Sequence, residues 1–97
     1  MGEGNIFFGA LAGELDVGSV GELETRLMEI VQTNPGCRVL LDASAVTFVD
    51  AATIGALLRV QRAAKLTGAV LLVTRPSVQV QRVIDLTNCS RLLQDTS

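Results

Sequence analysis

Length, composition and charge restrict the classes of protein to which this chain can belong. Its 97 residues, 48% hydrophobic and 19% charged, predict a single globular domain over residues 1–97. The chain has a net charge of -2, 3% aromatic residues and no Trp or Tyr. Proteins that bind nucleic acid usually have a basic surface and stacking side chains, so we expect no nucleic-acid partner. No apolar run reaches the ~20 residues that cross a bilayer and no leader pattern precedes Ile6, so we expect a cytoplasmic protein without a membrane partner.

Side chains that catalyse reactions or bind metals are scarce. The chain has no His, and its two cysteines, Cys37 and Cys89, have no CxxC spacing. This composition predicts no metal site, no cofactor and no His-based catalysis. Asp16, Asp42 and Asp50 follow apolar runs, but they would form a phosphoryl-transfer site only if they converged on a metal. We therefore expect that the chain is not an enzyme.

Hydrophobic periodicity divides the first half of the chain into two strands around a helix. An apolar run over residues 6–11 predicts the first strand. Ser19 and Glu22 have the spacing of a capping box, which predicts the start of a helix that ends at residues 34–36. The apolar run at residues 38–42 predicts a strand buried in a parallel sheet, and a second run covers residues 46–49.

The second half repeats the alternation. Asp50 stands where the N-cap of a second helix belongs, and Gly68 is its predicted end. Residues 69–73 predict a further strand, Pro76 the opening of a third helix, and residues 92–93 a last strand or a packing tail. The order predicts an α/β fold with a mixed or parallel sheet of about four strands covered by three to four helices.

Several segments form an ordered constellation along the chain. They are Gly13-Glu14-Leu15-Asp16, Val39-Leu40-Leu41-Asp42, Val46-Thr47-Phe48-Val49-Asp50 and Ile54-Gly55-Ala56-Leu57-Leu58, continuing through Pro76 to Leu86-Thr87. In this order and spacing they resemble the STAS domain family over nearly the whole chain. The resemblance implies the STAS fold and an anti-sigma factor antagonist, which binds a serine-kinase-like anti-sigma factor and frees a sigma factor for transcription.

The resemblance also implies where the partner docks. The loop before the second helix is the family's docking surface, and Asp16 belongs to the segment that resembles the family's Gly-Glu-Leu-Asp. The predicted partner-binding residues are Asp16, Asp50, Ala51, Ala52, Thr53 and Ile54. Asp16 and Asp50 are also ordinary capping residues, and both roles stay open.

The sequence departs from the family at its regulatory switch. The family's Asp-Ser-Ser-Gly-Leu-Gly reads here Asp50-Ala51-Ala52-Thr53-Ile54-Gly55, so the serine that the kinase phosphorylates is replaced by Ala51. A methyl group has no oxygen to accept phosphate, and the usual off-switch is absent. Three explanations stay open: a paralogue without phosphorylation control, which we favour, a laboratory variant, or an acceptor displaced to Thr53.

Two expectations concern association and regulation. Only five residues precede Ile6, where the family usually has an additional strand, so an edge strand is missing or an edge is open, which favours a homodimer. Cys37 and Cys89 are expected at the end opposite the docking loop, where a redox-controlled disulfide would replace the lost switch.

The resemblance also leaves an alternative function open, because STAS domains serve as accessory subunits of lipid-transport ATPases or stress-signalling assemblies.

Overall fold

The computed structural model describes residues 5–94, over which strands and helices alternate. The elements in chain order are β1 (Ile6–Leu15), α1 (Val17–Thr33), β2 (Arg38–Val49), α2 (Ala51–Leu66), β3 (Val70–Thr74) and α3 (Val78–Thr87), followed by a short 3-10 helix (Ser90–Leu92). None of the helices in this part of the chain is both long enough and apolar enough to span a membrane.

The three strands form a parallel sheet in the order β1-β2-β3. Phe7 of β1 lies beside Val39 of β2, which in turn lies beside Leu71 of β3. Successive parallel neighbours joined by right-handed crossovers bring their helices to the same face of the sheet. The α/β architecture predicted from the sequence is confirmed.

Alternating burial along the strands identifies the face that the helices cover. Val39, Leu41 and Ala43 of β2 are buried, whereas Leu40 and Asp42 between them are only partly buried. The inward side chains pack against the helices in one core. The large, fully buried side chains of this core include Val31, Val39, Ile54, Val60, Leu71, Ile84 and Leu92.

The opposite face of the sheet is open. Phe8 of β1 has 77% of its surface exposed and pairs with Leu40 of β2. Leu40 pairs in turn with Leu72 of β3, and both leucines are partly buried. β1 also forms one edge of the sheet, since its ladder partner among residues 5–94 is β2 alone. An exposed aromatic side chain therefore flanks an unpaired strand edge.

Two strands are longer than their apolar runs predict. β1 continues from residue 11 to Leu15, and β2 unites the two predicted runs into one strand that ends at Val49. The sheet tolerates the interruption because the pairing shifts register, first between Ala10 and Ala12 and again between Gly13 and Glu14. Such irregularities bend a strand and increase its twist.

The prediction for the start of α1 is wrong. Asp16, and not Ser19, is the N-cap, because its carboxylate accepts the Gly18 N–H at 2.9 Å. Ser19 completes the capping box at the third helical position, and Glu22 has no part in it. α3 begins at Val78, later than predicted.

The carboxyl-terminal segment packs without pairing to the sheet. Residues 92–93 form no strand, and Leu92 is fully buried in the core. Gln61 of α2 holds this segment, because its Nε2 donates to the Leu71 carbonyl at 3.1 Å and to the Arg91 carbonyl at 2.6 Å. Of the two alternatives predicted for residues 92–93, the packing tail is confirmed.

Candidate functional site

The three helices begin at the edge of the sheet where the strands end, which we call the carboxyl edge. Each helix is capped there by a polar side chain, Asp16 for α1, Asp50 for α2 and Ser77 for α3. The first N–H groups of a helix have no partner within the helix, so such an edge presents several donors and the positive ends of three helix dipoles.

Asp16 closes the loop between β1 and α1. Its backbone N–H donates to Ser19 Oγ at 3.3 Å, and the Ser19 hydroxyl donates to the Asp16 carbonyl at 3.2 Å. With the Gly18 N–H on its carboxylate, Asp16 is held by contacts within its own loop. A Cβ on Gly18 would lie 3.2 Å from the Asp16 Oδ1, so this loop has little room for a larger residue.

Asp50 caps α2 through two donors of one residue. Its Oδ1 accepts the Thr53 backbone N–H at 2.9 Å and the Thr53 hydroxyl at 2.8 Å. These two bonds, and more weakly the Val17 N–H, lower the pKa of the Asp50 carboxyl below its ordinary value. The carboxylate is therefore ionised at neutral pH.

Hydrogen bonds join the β1–α1 loop to the start of α2. The carbonyl oxygen of Leu15 accepts the Asp50 backbone N–H at 3.3 Å and the Thr53 hydroxyl at 3.2 Å. Residues that are distant in sequence are thus held side by side. We call the group formed by Asp16, Val17, Asp50, Ala51 and Ala52 the two-loop surface.

The predicted site residues divide into exposed and buried members. Ala51 and Ala52 are exposed, and Asp16 and Asp50 are partly buried. Thr53 and Ile54 are 0% and 1% exposed, so they lie beneath the surface and do not face a partner in this conformation. A phosphate acceptor at Thr53 would have to leave two hydrogen bonds and a fully buried position to enter a kinase site.

Two residues of this region were missed by the sequence analysis. Val17 is 73% exposed directly after the Asp16 cap, and Phe48 is 45% exposed two residues before Asp50. A Val directly after a helix cap gives little sequence evidence for a binding role. Its position lies outside the stripe of buried residues on the helix, so the apolar pattern does not single it out. Phe48 belongs to the second predicted apolar run, and it lies exposed beside the register shift in the pairing with β1.

The third acid, Asp42, belongs to a different group. Its Oδ1 accepts the Ser44 hydroxyl at 2.7 Å and the Ser44 N–H at 2.8 Å, and Arg75 Nε lies 3.6 Å from its Oδ2. Bonding to Ser44 is the main reason that the pKa of Asp42 is lowered. Among the residues that the structure describes, no three acidic or thiol side chains gather in a group that would hold a metal ion.

The cysteines are free thiols in different surroundings. Cys37 precedes β2 and is fully buried, and this burial raises the pKa of its thiol. Cys89 follows α3, is partly buried and packs against the same core. A raised pKa leaves less thiolate to react at neutral pH. A disulfide between them stays a prediction, tested by thiol titration after mild oxidation.

The fold and the capped carboxyl edge together define the class of protein. The STAS domain family model matches residues 2–96, and the chain belongs to this family. Among solved structures, it is similar to the anti-sigma factor antagonist SpoIIAA in its unphosphorylated form. The TM-score is 0.78 at 19% sequence identity, and the match covers 100% of this chain and 84% of that chain. At this identity the likeness concerns the fold.

Proposed function

We propose that this protein is a cytoplasmic anti-sigma factor antagonist that catalyses no reaction itself. It binds a kinase-type anti-sigma factor through the two-loop surface and so frees a sigma factor for transcription. The observation that carries the proposal is this surface within a STAS fold: exposed Ala51 and Ala52 at the start of α2, beside exposed Val17 and the capping residues Asp16 and Asp50.

The side chains of the two-loop surface suit close docking. Ala51 and Ala52 project only methyl groups, so a partner's backbone approaches the start of α2 without steric hindrance. Asp16 and Asp50 already accept hydrogen bonds from their own helices, which reduces the number of unpaired groups that binding would desolvate. An apolar centre with a polar rim is the ordinary anatomy of a protein interface.

The same surface explains the expected regulation. Ala51 is exposed at the first position of α2, where a phosphate would project directly toward the partner. A phosphate adds about two negative charges and disfavours burial against a protein. Since Ala51 has no acceptor oxygen and Thr53 is buried, we propose that the chain binds without phosphorylation control.

A pull-down from a bacterial lysate tests the proposal, with captured proteins identified by mass spectrometry. Three baits are compared: the wild type, Ala51→Asp and Ser90→Asp. The helix dipole stabilises a negative charge at the first turn of α2, so we expect Ala51→Asp to retain the fold. Ser90 is exposed in the segment after α3, away from the carboxyl edge, and controls for the added charge.

The captured proteins decide between the candidate functions. We expect wild type and Ser90→Asp to capture a kinase-fold anti-sigma factor and Ala51→Asp to lose it. Capture of a transport ATPase or a stress-signalling assembly in its place would refute the proposal and support the accessory-subunit alternative.

We also propose that the unpaired edge of β1 supports a homodimer. Ile6 and Phe8 near its start are 54% and 77% exposed, more than large apolar side chains of a monomer usually are. Two copies related by a two-fold axis would pair their β1 edges antiparallel and bring these side chains together.

A further inference from the structure

The side chain of Thr53 contacts both loops at the carboxyl edge. Its hydroxyl lies within donating distance of two acceptors, the Asp50 Oδ1 at 2.8 Å and the Leu15 carbonyl at 3.2 Å. One acceptor belongs to the cap of α2, and the other to the last residue of β1. A single buried side chain therefore contacts both halves of the two-loop surface from beneath.

Burial strengthens the effect of this hydroxyl. Thr53 is 0% exposed, so water has little access to its hydroxyl, and the Leu15 carbonyl that accepts it belongs to a partly buried residue. The Leu15 carbonyl has one other donor from the second loop, the Asp50 N–H at 3.3 Å, which is a long bond. Removing the hydroxyl would leave the loops joined by that bond, by the weaker contact of the Val17 N–H with the Asp50 carboxylate and by the pairing of Leu15 with Val49.

We propose that Thr53 is a positioning residue of the docking site, whose hydroxyl fixes the β1–α1 loop against the start of α2. Through this bond, Asp16 and Val17 are presented to the partner together with Ala51 and Ala52 as one preformed surface. The inference rests on the proposed function and assigns to that site the residue that holds it in its binding conformation. A preformed surface loses less conformational entropy on binding.

Two substitutions separate the hydroxyl of Thr53 from its packing. Thr53→Val keeps the shape of the side chain and removes the donor, whereas Thr53→Ser keeps the donor and removes a methyl group. Circular dichroism and unfolding of both variants confirm that each is folded before they are compared. If the hydroxyl holds the β1–α1 loop against the start of α2, only Thr53→Val should weaken the contact between the two loops.

The first two readouts need no partner. In Thr53→Val, we expect the pKa of the Asp50 carboxyl, followed by NMR, to rise toward its ordinary value, because one of its two main donors is lost. We also expect the Asp50 amide proton to exchange with solvent about tenfold faster. Thr53→Ser should resemble the wild type in both measurements.

The third readout is affinity for the purified kinase-type anti-sigma factor, measured by calorimetry. We expect Thr53→Val to weaken binding about tenfold, the effect of one lost hydrogen bond, and Thr53→Ser to restore most of it. An unchanged Asp50 pKa and exchange rate in Thr53→Val, or equal losses of affinity in both variants, would overturn the positioning role. If the wild type does not bind the anti-sigma factor at all, the proposed function fails, and the first two readouts still decide whether Thr53 fixes the loops.

Discussion

Asp50 combines a structural and a surface role in one carboxylate. It caps α2 through Thr53, and it stands at the rim of the two-loop surface. Its pKa is lowered because the donors around it prefer the ionised form. A lowered pKa in the folded state means that the carboxylate adds stability above its unfolded pKa, and that this stability is lost as the pH falls through the folded pKa.

Asp50→Asn keeps an oxygen acceptor at the cap and removes the charge. We expect the wild type to unfold at a higher urea concentration than Asp50→Asn at neutral pH, because the ionised carboxylate accepts stronger bonds. The difference should shrink as the pH is lowered through the folded pKa of the carboxyl, because the wild-type cap is then protonated as well. Urea midpoints of both proteins across this pH range test the expectation, and a difference that is independent of pH would contradict it.

Ala51 is the residue on which the expected lack of regulation depends. When incubated with the kinase-type anti-sigma factor and ATP, the wild type should gain no phosphate. The Ala51→Ser variant should gain one phosphate on the introduced hydroxyl, because the side chain at position 51 is exposed. Intact-mass spectrometry followed by peptide mapping makes the measurement. Phosphate on Thr53 of the wild type would show that the buried residue becomes accessible to the kinase.

At the scale of an element, α3 is held to the sheet by one face. Ile84 is fully buried in the core, whereas Leu86, two residues later, is 79% exposed. We expect Ile84→Ala to lower the free energy of unfolding by about 3 kcal/mol, through lost burial and a cavity. Leu86→Ala on the same helix should change it by less than about 0.5 kcal/mol. Similar losses for the two variants in urea unfolding would contradict this assignment of faces.

The segment after α3 depends on the side-chain amide of Gln61. Its Nε2 donates to two carbonyl groups, and its Oε1 is buried with no hydrogen-bond partner among residues 5–94. Gln61→Glu would replace the donor by a buried carboxylate facing two carbonyl oxygens. We expect a loss of about 2–4 kcal/mol in the free energy of unfolding, against a negligible change for the exposed control Gln32→Glu. Equal stability of the two variants would contradict this role of Gln61.

At the scale of the whole molecule, local patterns predicted the fold better than the contacts within the site. The N-cap at Asp50 was predicted because the signal lies within one turn of chain. The start of α1 was misplaced because Asp16 and Ser19 are both good capping residues, and their spacing does not decide between them. The Thr53 hydroxyl bonds to the carbonyl of Leu15, 38 residues earlier, a contact that no local pattern reveals.

The long β2 has a similar explanation. Ser44 and Ala45 interrupt the apolar run, so the sequence predicts two short segments. The pairing of Ala45 with Ala12 of β1 carries the strand through that interruption. Strand pairing is a property of the assembled sheet, and it overrides the local preference of these residues.

Self-association is a prediction about the whole molecule. Analytical ultracentrifugation over a wide concentration range should show a monomer–dimer equilibrium, because one edge of β1 is unpaired within residues 5–94. Phe8→Lys places a charge beside that edge and should shift the equilibrium to monomer, whereas Leu86→Lys, at an equally exposed site on α3, should not. A monomer at every concentration would contradict the homodimer.

The measurement that tests the central claim most directly is an NMR titration of the isotope-labelled protein with the purified kinase-type anti-sigma factor. We predict that the amide signals that shift or broaden first belong to the two-loop surface, around Asp16, Val17, Asp50, Ala51 and Ala52. Signals of the open sheet face, such as those of Phe8 and Leu40, should be unaffected at the same ratio. Perturbations confined to the sheet face or α3, or no perturbation at saturating partner, would contradict docking at the carboxyl edge.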